Sequence, residues 1–254
     1  MPELPARTHP FDPGYDPHTV LSHIEQSAHL MASLKISMAC WLVGGEDAYR
    51  RKIAFARRHG VTTVTGGGPF EIAVELDKLD HYLALCADMG IDRIEAGQGF
   101  TAMPLAPAEV ARRAADFGLG LQFELGKKHG GSFGSDTVGE LVEQGRAWLD
   151  AGAVYLVIEG RESAAGVGIF DDSGRLNCAA ADRFAAAFGL DRVVFEAPNK
   201  ASQFALMRHF GERVALSNVR LEELLRVEIY RRGLHSDAFD ADVFRRRMAS
   251  APHG

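Results

Sequence analysis

Four apolar runs in this chain end the same way. Asp92–Gly97 reads DRIEAG, Leu119–Lys128 reads LGLQFELGKK, Val154–Ser163 reads VYLVIEGRES and Asp191–Lys200 reads DRVVFEAPNK. Each run reaches a glutamate (Glu95, Glu124, Glu159 or Glu196), and Gly or Pro follows within two residues. Short apolar runs bounded by turn residues read as strands buried on both faces. The segments between them carry helical periodicity, and alternating strands and helices argue for a parallel sheet. Parallel strands that all end in an acid place those acids together at one end of the sheet. An unpaired charge is costly to bury, so acids placed this way are not core filler. In (β/α)8 barrels the chemistry sits at the C-terminal strand ends.

Length and composition fit that reading. The 254 residues are 46% hydrophobic and 24% charged, which suits a single α/β domain of the (β/α)8 TIM-barrel type. The net charge of −6 comes without a basic block, so nucleic acid is not an expected partner. No apolar run approaches the roughly 18 residues that span a bilayer, and the N-terminal MPELPARTHPFDPG lacks the apolar core of a secretory signal. No membrane partner is expected. Cys40, Cys86 and Cys178 lie far apart and match no zinc or disulfide pattern, so a cytoplasmic location is expected.

Read in order, residues 1–15 form an N-terminal arm, with a short strand near Pro10–Phe11. Asp16-Pro17 starts a helix, Asp as the cap and Pro at the first helical position. Leu34–Val43 reads as a strand with Lys35 inside it, followed by a helix across about Asp47–His59. The β-branched Val61–Thr65 strand opens into a Gly66-Gly67-Gly68-Pro69 loop. Leu79, Tyr82, Leu83, Cys86 and Met89 form a helical stripe stopped by Gly90. A helix is expected over 107–117, and a glycine-rich, mobile loop over His129–Asp136. Thr137-x-x-Glu140 has the form of a capping box. The connection through Ala164–Asn177 is longer than usual for a βα loop, which suggests function. Helices follow near 179–188 and 201–210, then a strand over Arg213–Val219 and a helix over Leu221–Arg232. Seven strands are clear, and the eighth must be the weak, eroded N-terminal one if the barrel closes. An open doubly wound sheet is the alternative. The barrel domain then spans 16–239, with a C-terminal helix or tail over 240–254.

The strand ends and the loops behind them supply the candidate site. Lys127, directly behind the Glu124 strand, suits a point charge on an anion or an acid of lowered pKa. Lys128 reads as its solvated neighbour. Lys35 stands inside an apolar strand, where lysine is seldom buried without a partner; the plain alternative is an ammonium snorkelling to the barrel edge. Glu95, Glu159 and Glu196 are candidate ligands for Mg2+, a hard cation that takes carboxylate and phosphate oxygens. The glutamates serve equally well to orient lysines and arginines, and the two roles stay open. Arg161, followed by Glu162-Ser163, suits a two-pronged grip on phosphate or carboxylate. Gly67 and Gly68 let backbone N–H groups approach an anion. Asn199 and Lys200 follow the seventh strand and Asn218 stands at the end of the eighth, where such barrels commonly hold phosphate. The expected partner is a small anionic phosphorylated substrate. Barrels of this size often assemble, so a homo-oligomer is expected.

Several motifs together resemble one family. GGGPFE (66–71), RIEAGQG (93–99), ELGKK (124–128), VIEGRESAAGVGIFD (157–171), FEAPNK (195–200) and RRGLHSDAF (231–239) resemble the phosphosulfolactate synthases, in order, over about residues 35–239. The resemblance implies a (β/α)8 lyase that adds sulfite to phosphoenolpyruvate with Mg2+. It implies a product that feeds sulfonate biosynthesis, coenzyme M included. It assigns Lys127, with Glu124 and Arg161, to catalysis, Lys127 delivering the proton at C2. Lys35, Gly67, Gly68, Lys128, Glu162, Ser163, Asn199, Lys200 and Asn218 then bind substrate, and Glu95, Glu159 and Glu196 hold the metal.

The chain also departs from the family pattern. Asp12-Pro13-Gly14 stands where an Asp-Lys-Gly is usual, Lys35-Ile36-Ser37-Met38-Ala39-Cys40 where Lys-x-Gly-Trp-Gly-Thr is, and Gln98 where an aspartate is. Two alternatives follow. One is bond formation on a larger phosphorylated or enolpyruvyl substrate, since losing a Trp opens space. The other is a non-catalytic relative of the heat-stress type.

Overall fold

The computed structural model describes residues 4–239. The C-terminal helix or tail expected over 240–254 lies outside these residues. Eight parallel strands close a barrel in sequence order: β1 (Thr8–Asp12), β2 (Leu34–Ile36), β3 (Thr63–Thr65), β4 (Arg93–Gly97), β5 (Gly120–Leu125), β6 (Leu156–Ile158), β7 (Val193–Glu196) and β8 (Ala215–Arg220). Helices α1 (Pro17–Ser27), α2 (Cys40–Val43), α3 (Glu46–Arg58), α4 (Gly67–Glu75), α5 (Leu79–Met89) and α6 (Pro107–Asp116) lie in the first half. The second half carries α7 (Ser135–Asp150), α8 (Cys178–Phe188), α9 (Lys200–Phe210), α10 (Leu224–Arg231) and α11 (Ser236–Phe239). The strand–helix alternation of the sequence is therefore a TIM barrel and not an open sheet.

The N-terminal strand is short but fully seated. β1 pairs with both β2 and β8, and its register on β8 shifts between His9 and Pro10. Proline has no N–H to donate to the ladder, which accounts both for the shift and for the faint signal in the sequence. Asp12 at its end is buried, accepts from the backbone N–H groups of Gly14 and Tyr15, and pairs with buried Lys52 of α3 at 2.7 Å. The aspartate that begins the departed Asp-Pro-Gly motif is thus a structural tie between the first strand and its neighbouring helix.

Side-chain alternation sorts the strands into two layers. Ile94, Phe123, Ile158 and Phe195 point outward into one continuous core with the helices, where Phe123 stacks on Trp148 at 4.1 Å between ring centroids. Each such side chain contributes about 1.5–3 kcal/mol of burial. Val157, Val194 and Ala215 pack together as a separate group. By the two-residue period they share a face with Glu159, Glu196 and Ser217, so an apolar plug fills the barrel below its acidic end.

Three local expectations are corrected. β2 stops at Ile36, and the apolar run beyond it turns at Met38, whose φ is 51°, into α2. Trp41 of that run is buried, whereas Val43 is exposed: the apolar composition outlasts the sheet because pairing with β3 ends at Thr65. The glycine run after β3 is no loop. Gly66 caps α4, which begins at Gly67 and takes Pro69 in its first turn, a position where the missing N–H costs nothing. The capping box at Thr137 does not form, since α7 begins earlier, at Ser135 behind Gly134.

Candidate functional site

The four glutamates do converge. Glu95, Glu124, Glu159 and Glu196 are all buried at the C-terminal end of the barrel. Oxygens of Glu124, Glu159 and Glu196 lie within 4.8 Å of one another. Two ammonium groups face them. Lys35, 7% exposed, pairs with Glu95 at 2.7 Å and with Glu196 at 3.6 Å. Lys128 pairs with Glu124 at 3.0 Å and with Glu159 at 3.5 Å. Backbone N–H groups fill several of the other acceptor sites. Gly67 N–H at the start of α4 donates to Glu95, Arg161 N–H donates to Glu159 and Glu196, and Gly160 N–H donates to Glu196. Gln122, two residues before Glu124 on the same inward face, donates to Glu95 at 2.8 Å.

Electrostatics divide these acids. Burial pushes Glu196 well above the usual carboxylate range, with neighbouring Glu159 and Glu124 adding to the shift against Lys35. Burial raises Glu95 as well, Lys35 opposing. Burial also acts to raise Glu124, but Lys128 and Lys35 outweigh it and hold this carboxyl low. Neighbouring titratable groups whose pKa values are pushed apart mark acid–base chemistry. Burial acts to lower both lysines, yet the glutamates overcome it and raise them, so both are charged at neutral pH. Four carboxylates facing two ammoniums leave an excess of negative charge, and low dielectric favours neutralising it with a proton or a divalent cation.

Loop glycines let the strand ends close over this cluster. Gly126 has φ +124°, and a Cβ there would come within 2.8 Å of the Glu159 Cβ. Gly168, in the long loop after β6, has φ +59°, and its Cβ would sit 1.9 Å from the Glu159 carbonyl oxygen. The long loop is therefore folded back onto the base of the site. Met38, Arg161 and Asn218 are non-glycine residues of positive φ just past β2, just past β6 and inside β8, a backbone strain that clusters at functional sites.

The other sequence candidates divide between this site and its surroundings. Lys127 is exposed on the loop, and Lys128, 29% exposed, is the lysine that reaches the acids, so Lys128 is no solvated bystander. The trio with converging oxygens contains Glu124, while Glu95 is taken up by Lys35, Gln122 and Gly67. Arg161 is exposed, and its guanidinium donates to the Lys128 carbonyl at 3.0 Å. Glu162 and Ser163 are exposed beside it, and the Ser163 carbonyl accepts from Asn199. Asn199 caps α9 in a reciprocal box with Ser202. Lys200 pairs with Asp237 at 2.9 Å. Asn218 is half-buried in β8, and Gly68 is open in the first turn of α4.

Glu71 of α4 escaped the sequence reading. It is fully buried, and its Oε2 accepts from the backbone of Phe100 and Thr101 and from the Thr101 hydroxyl. Its place directly behind the Gly-Gly-Gly-Pro run, early in a helix that starts at a strand end, was the available signal.

The chain is similar to several known proteins. A family model described as (2R)-phospho-3-sulfolactate synthase (ComA) matches residues 2–237. The chain is 32% identical over 229 residues to a phosphosulfolactate synthase of Methanocaldococcus jannaschii, covering 90% of this chain and 91% of the relative. It is 28% identical over 227 residues to that of Methanothermobacter thermautotrophicus, covering 89% and 88%. It is 30% identical over 191 residues to that of Bacillus subtilis, covering 74% and 75%. Among solved structures, KGPDC from Streptococcus mutans superposes with a TM-score of 0.55 at 11% identity, covering 97% of this chain and 98% of the other. A dihydrodipicolinate synthase from Agrobacterium tumefaciens gives 0.51 at 14% identity, covering 96% and 77%. Likeness at such identities shows the barrel alone.

Proposed function

The chain belongs to the (2R)-phospho-3-sulfolactate synthase (ComA) family, and from that premise we propose that it is a carbon–sulfur lyase that adds sulfite to phosphoenolpyruvate. The observation that carries the reading is the buried cluster of Glu95, Glu124, Glu159 and Glu196 with Lys35 and Lys128 paired into it. In the proposed step the sulfite sulfur lone pair forms a bond to the methylene carbon. The double-bond pair moves to C2 and its carboxylate, and C2 takes a proton. The phosphate ester stays intact, and no oxidant or reductant is needed.

Glu124, Glu159 and Glu196 offer three converging hard oxygen donors, a set that fits Mg2+. Such an ion, when bound, supplies positive charge for the carboxylate and phosphate oxygens of the substrate. Lys35, held charged by Glu95 and Glu196, offers fixed positive charge where the enolate builds up. Lys128 is better placed than Lys127 to deliver the proton, because its side chain reaches the acidic cluster whereas Lys127 is exposed on the loop. Arg161 anchors the Lys128 backbone and presents the rest of its exposed guanidinium to an incoming anion.

The test is consumption of phosphoenolpyruvate by purified protein with Mg2+ and sulfite, the product identified by mass. Phosphosulfolactate is the expected product. No turnover at saturating phosphoenolpyruvate and sulfite would remove the reading. In that case, heat protection by phosphoenolpyruvate would point to another nucleophile, and its absence to another substrate.

A further inference from the structure

Glu71 poses a problem that its hydrogen bonds do not solve. One carboxylate oxygen takes three donors from Phe100 and Thr101. The other, Oε1, is buried and has no hydrogen-bond partner. A buried acceptor left unpaired is destabilising, and a carboxylate oxygen is the worst kind to leave so. Its surroundings suggest what it serves. A Cβ built on Gly99 would lie 3.3 Å from Glu71 Oε1, and 2.9 and 3.1 Å from Cγ and Cε of Lys128. The Lys128 side chain therefore runs across Gly99 with Glu71 Oε1 against the same bare glycine. The Lys128 N–H also donates to the Gly99 carbonyl at 2.9 Å, which fixes the lysine's backbone beside the loop that Glu71 holds.

Lys128 now points the other way, onto Glu124 and Glu159. Those are two of the three carboxylates able to hold a metal ion. An ammonium and a divalent cation compete for one carboxylate pair, since like charges at contact distance repel strongly in a low-dielectric site. We propose that Lys128 is a two-position lysine: it neutralises Glu124 and Glu159 when the trio is metal-free, and transfers to Glu71 Oε1 when a divalent cation fills the trio. Glu71 is then a positioning residue for Lys128 and no metal ligand, in keeping with its absence from the converging set. Gly99 is the track, because any side chain there would meet the lysine.

The inference takes its Mg2+ from the proposed function, so its test reads binding and not turnover. Mg2+ is titrated calorimetrically, without substrate, into the wild type, Glu71→Gln, Lys128→Met and the double variant. Glutamine keeps an oxygen for Phe100 and Thr101 but offers the displaced ammonium no anion. Glu71→Gln is expected to bind Mg2+ about tenfold more weakly, a typical coupling between sites. Lys128→Met removes the competitor and is expected to bind at least as tightly as the wild type. In that background Glu71→Gln should have no further effect. A tenfold loss that persists without Lys128 would make Glu71 a ligand or a mere loop anchor and overturn the proposal, as would an unchanged affinity in Glu71→Gln. If Glu71→Gln does not fold, a crystal structure of the Mg2+-loaded wild type decides. Lys128 hydrogen-bonded to Glu71 sustains the inference, and Lys128 still on Glu124 ends it. A wild type that binds no Mg2+ yet makes phosphosulfolactate after chelation overturns this inference and leaves the reaction standing. An intact coupling in a chain with no turnover does the reverse.

Discussion

Replacing Lys35 by methionine should expose how the acidic cluster is stabilised. The ammonium is buried between Glu95 and Glu196 at 2.7 and 3.6 Å, and methionine keeps its length while removing its charge. Breaking a buried pair from one side costs roughly 3–5 kcal/mol, since the partner charge is left uncompensated. In a domain of this size about 1 kcal/mol moves Tm by about 2–4 °C, so a fall of about 10 °C is expected at neutral pH. The loss should depend on pH. Burial already raises Glu196 and Glu95 above their unfolded values, and Lys35 is a principal force pulling both back. Without it both rise further. A carboxyl whose folded pKa exceeds its unfolded one binds more protons in the folded state, so stability falls as pH rises between the two values. The difference between variant and wild type should therefore be small near pH 5 and grow toward pH 8, by at most about 1.4 kcal/mol per pH unit for each carboxyl. The wild-type lysine, raised above its unfolded pKa, contributes fully throughout this window. Denaturant melts of both proteins at pH 5, 6, 7 and 8 make the measurement. Parallel curves, with a constant difference, would refute the claim that Lys35 acts by holding these carboxyls ionised.

Lys128→Met should lower kcat by at least about a hundredfold, the usual worth of a positioned acid, while Lys127→Ala stays within about threefold of wild type; steady-state kinetics on both variants would show if the order is reversed. Gly168→Ala should cost several kcal/mol and abolish turnover, because its Cβ would fall 1.9 Å from the Glu159 carbonyl; a thermal melt unchanged from wild type would contradict the packing described. Chelation should abolish turnover and Mg2+ should restore it, read in the same coupled assay with and without added ion. Lys52→Met should destabilise the chain by roughly 3–5 kcal/mol through the uncompensated charge on Asp12, and a chemical melt within about 1 kcal/mol of wild type would speak against that pair.

Much of the site could be read from the chain because strand, glutamate and turn repeat in one order, and a parallel sheet converts that order into position. Glu95, Glu124, Glu159 and Glu196 needed no coordinates to be placed at one end. Lys35 announced itself as a charge inside an apolar strand, and its ion pairs explain how it stays there. Choosing between Lys127 and Lys128 was beyond the sequence, since adjacent residues on a loop differ only in the direction their side chains take. Glu71 was missed because it sits on a helix that the glycine run concealed.

Local chemistry, carried by single residues and their spacing, determined the strand ends, the turns behind them, the alternation with helices and the acidic character of the site. The tertiary structure decided which acids share a cation's worth of space, which lysine meets them and which buried oxygen is left without a partner. Most of those distances join residues far apart in the chain, 31 positions for Lys128 and Glu159 and 72 for Glu124 and Glu196, and they are set by barrel closure and by glycines such as Gly99 and Gly168, which leave room where any side chain would collide.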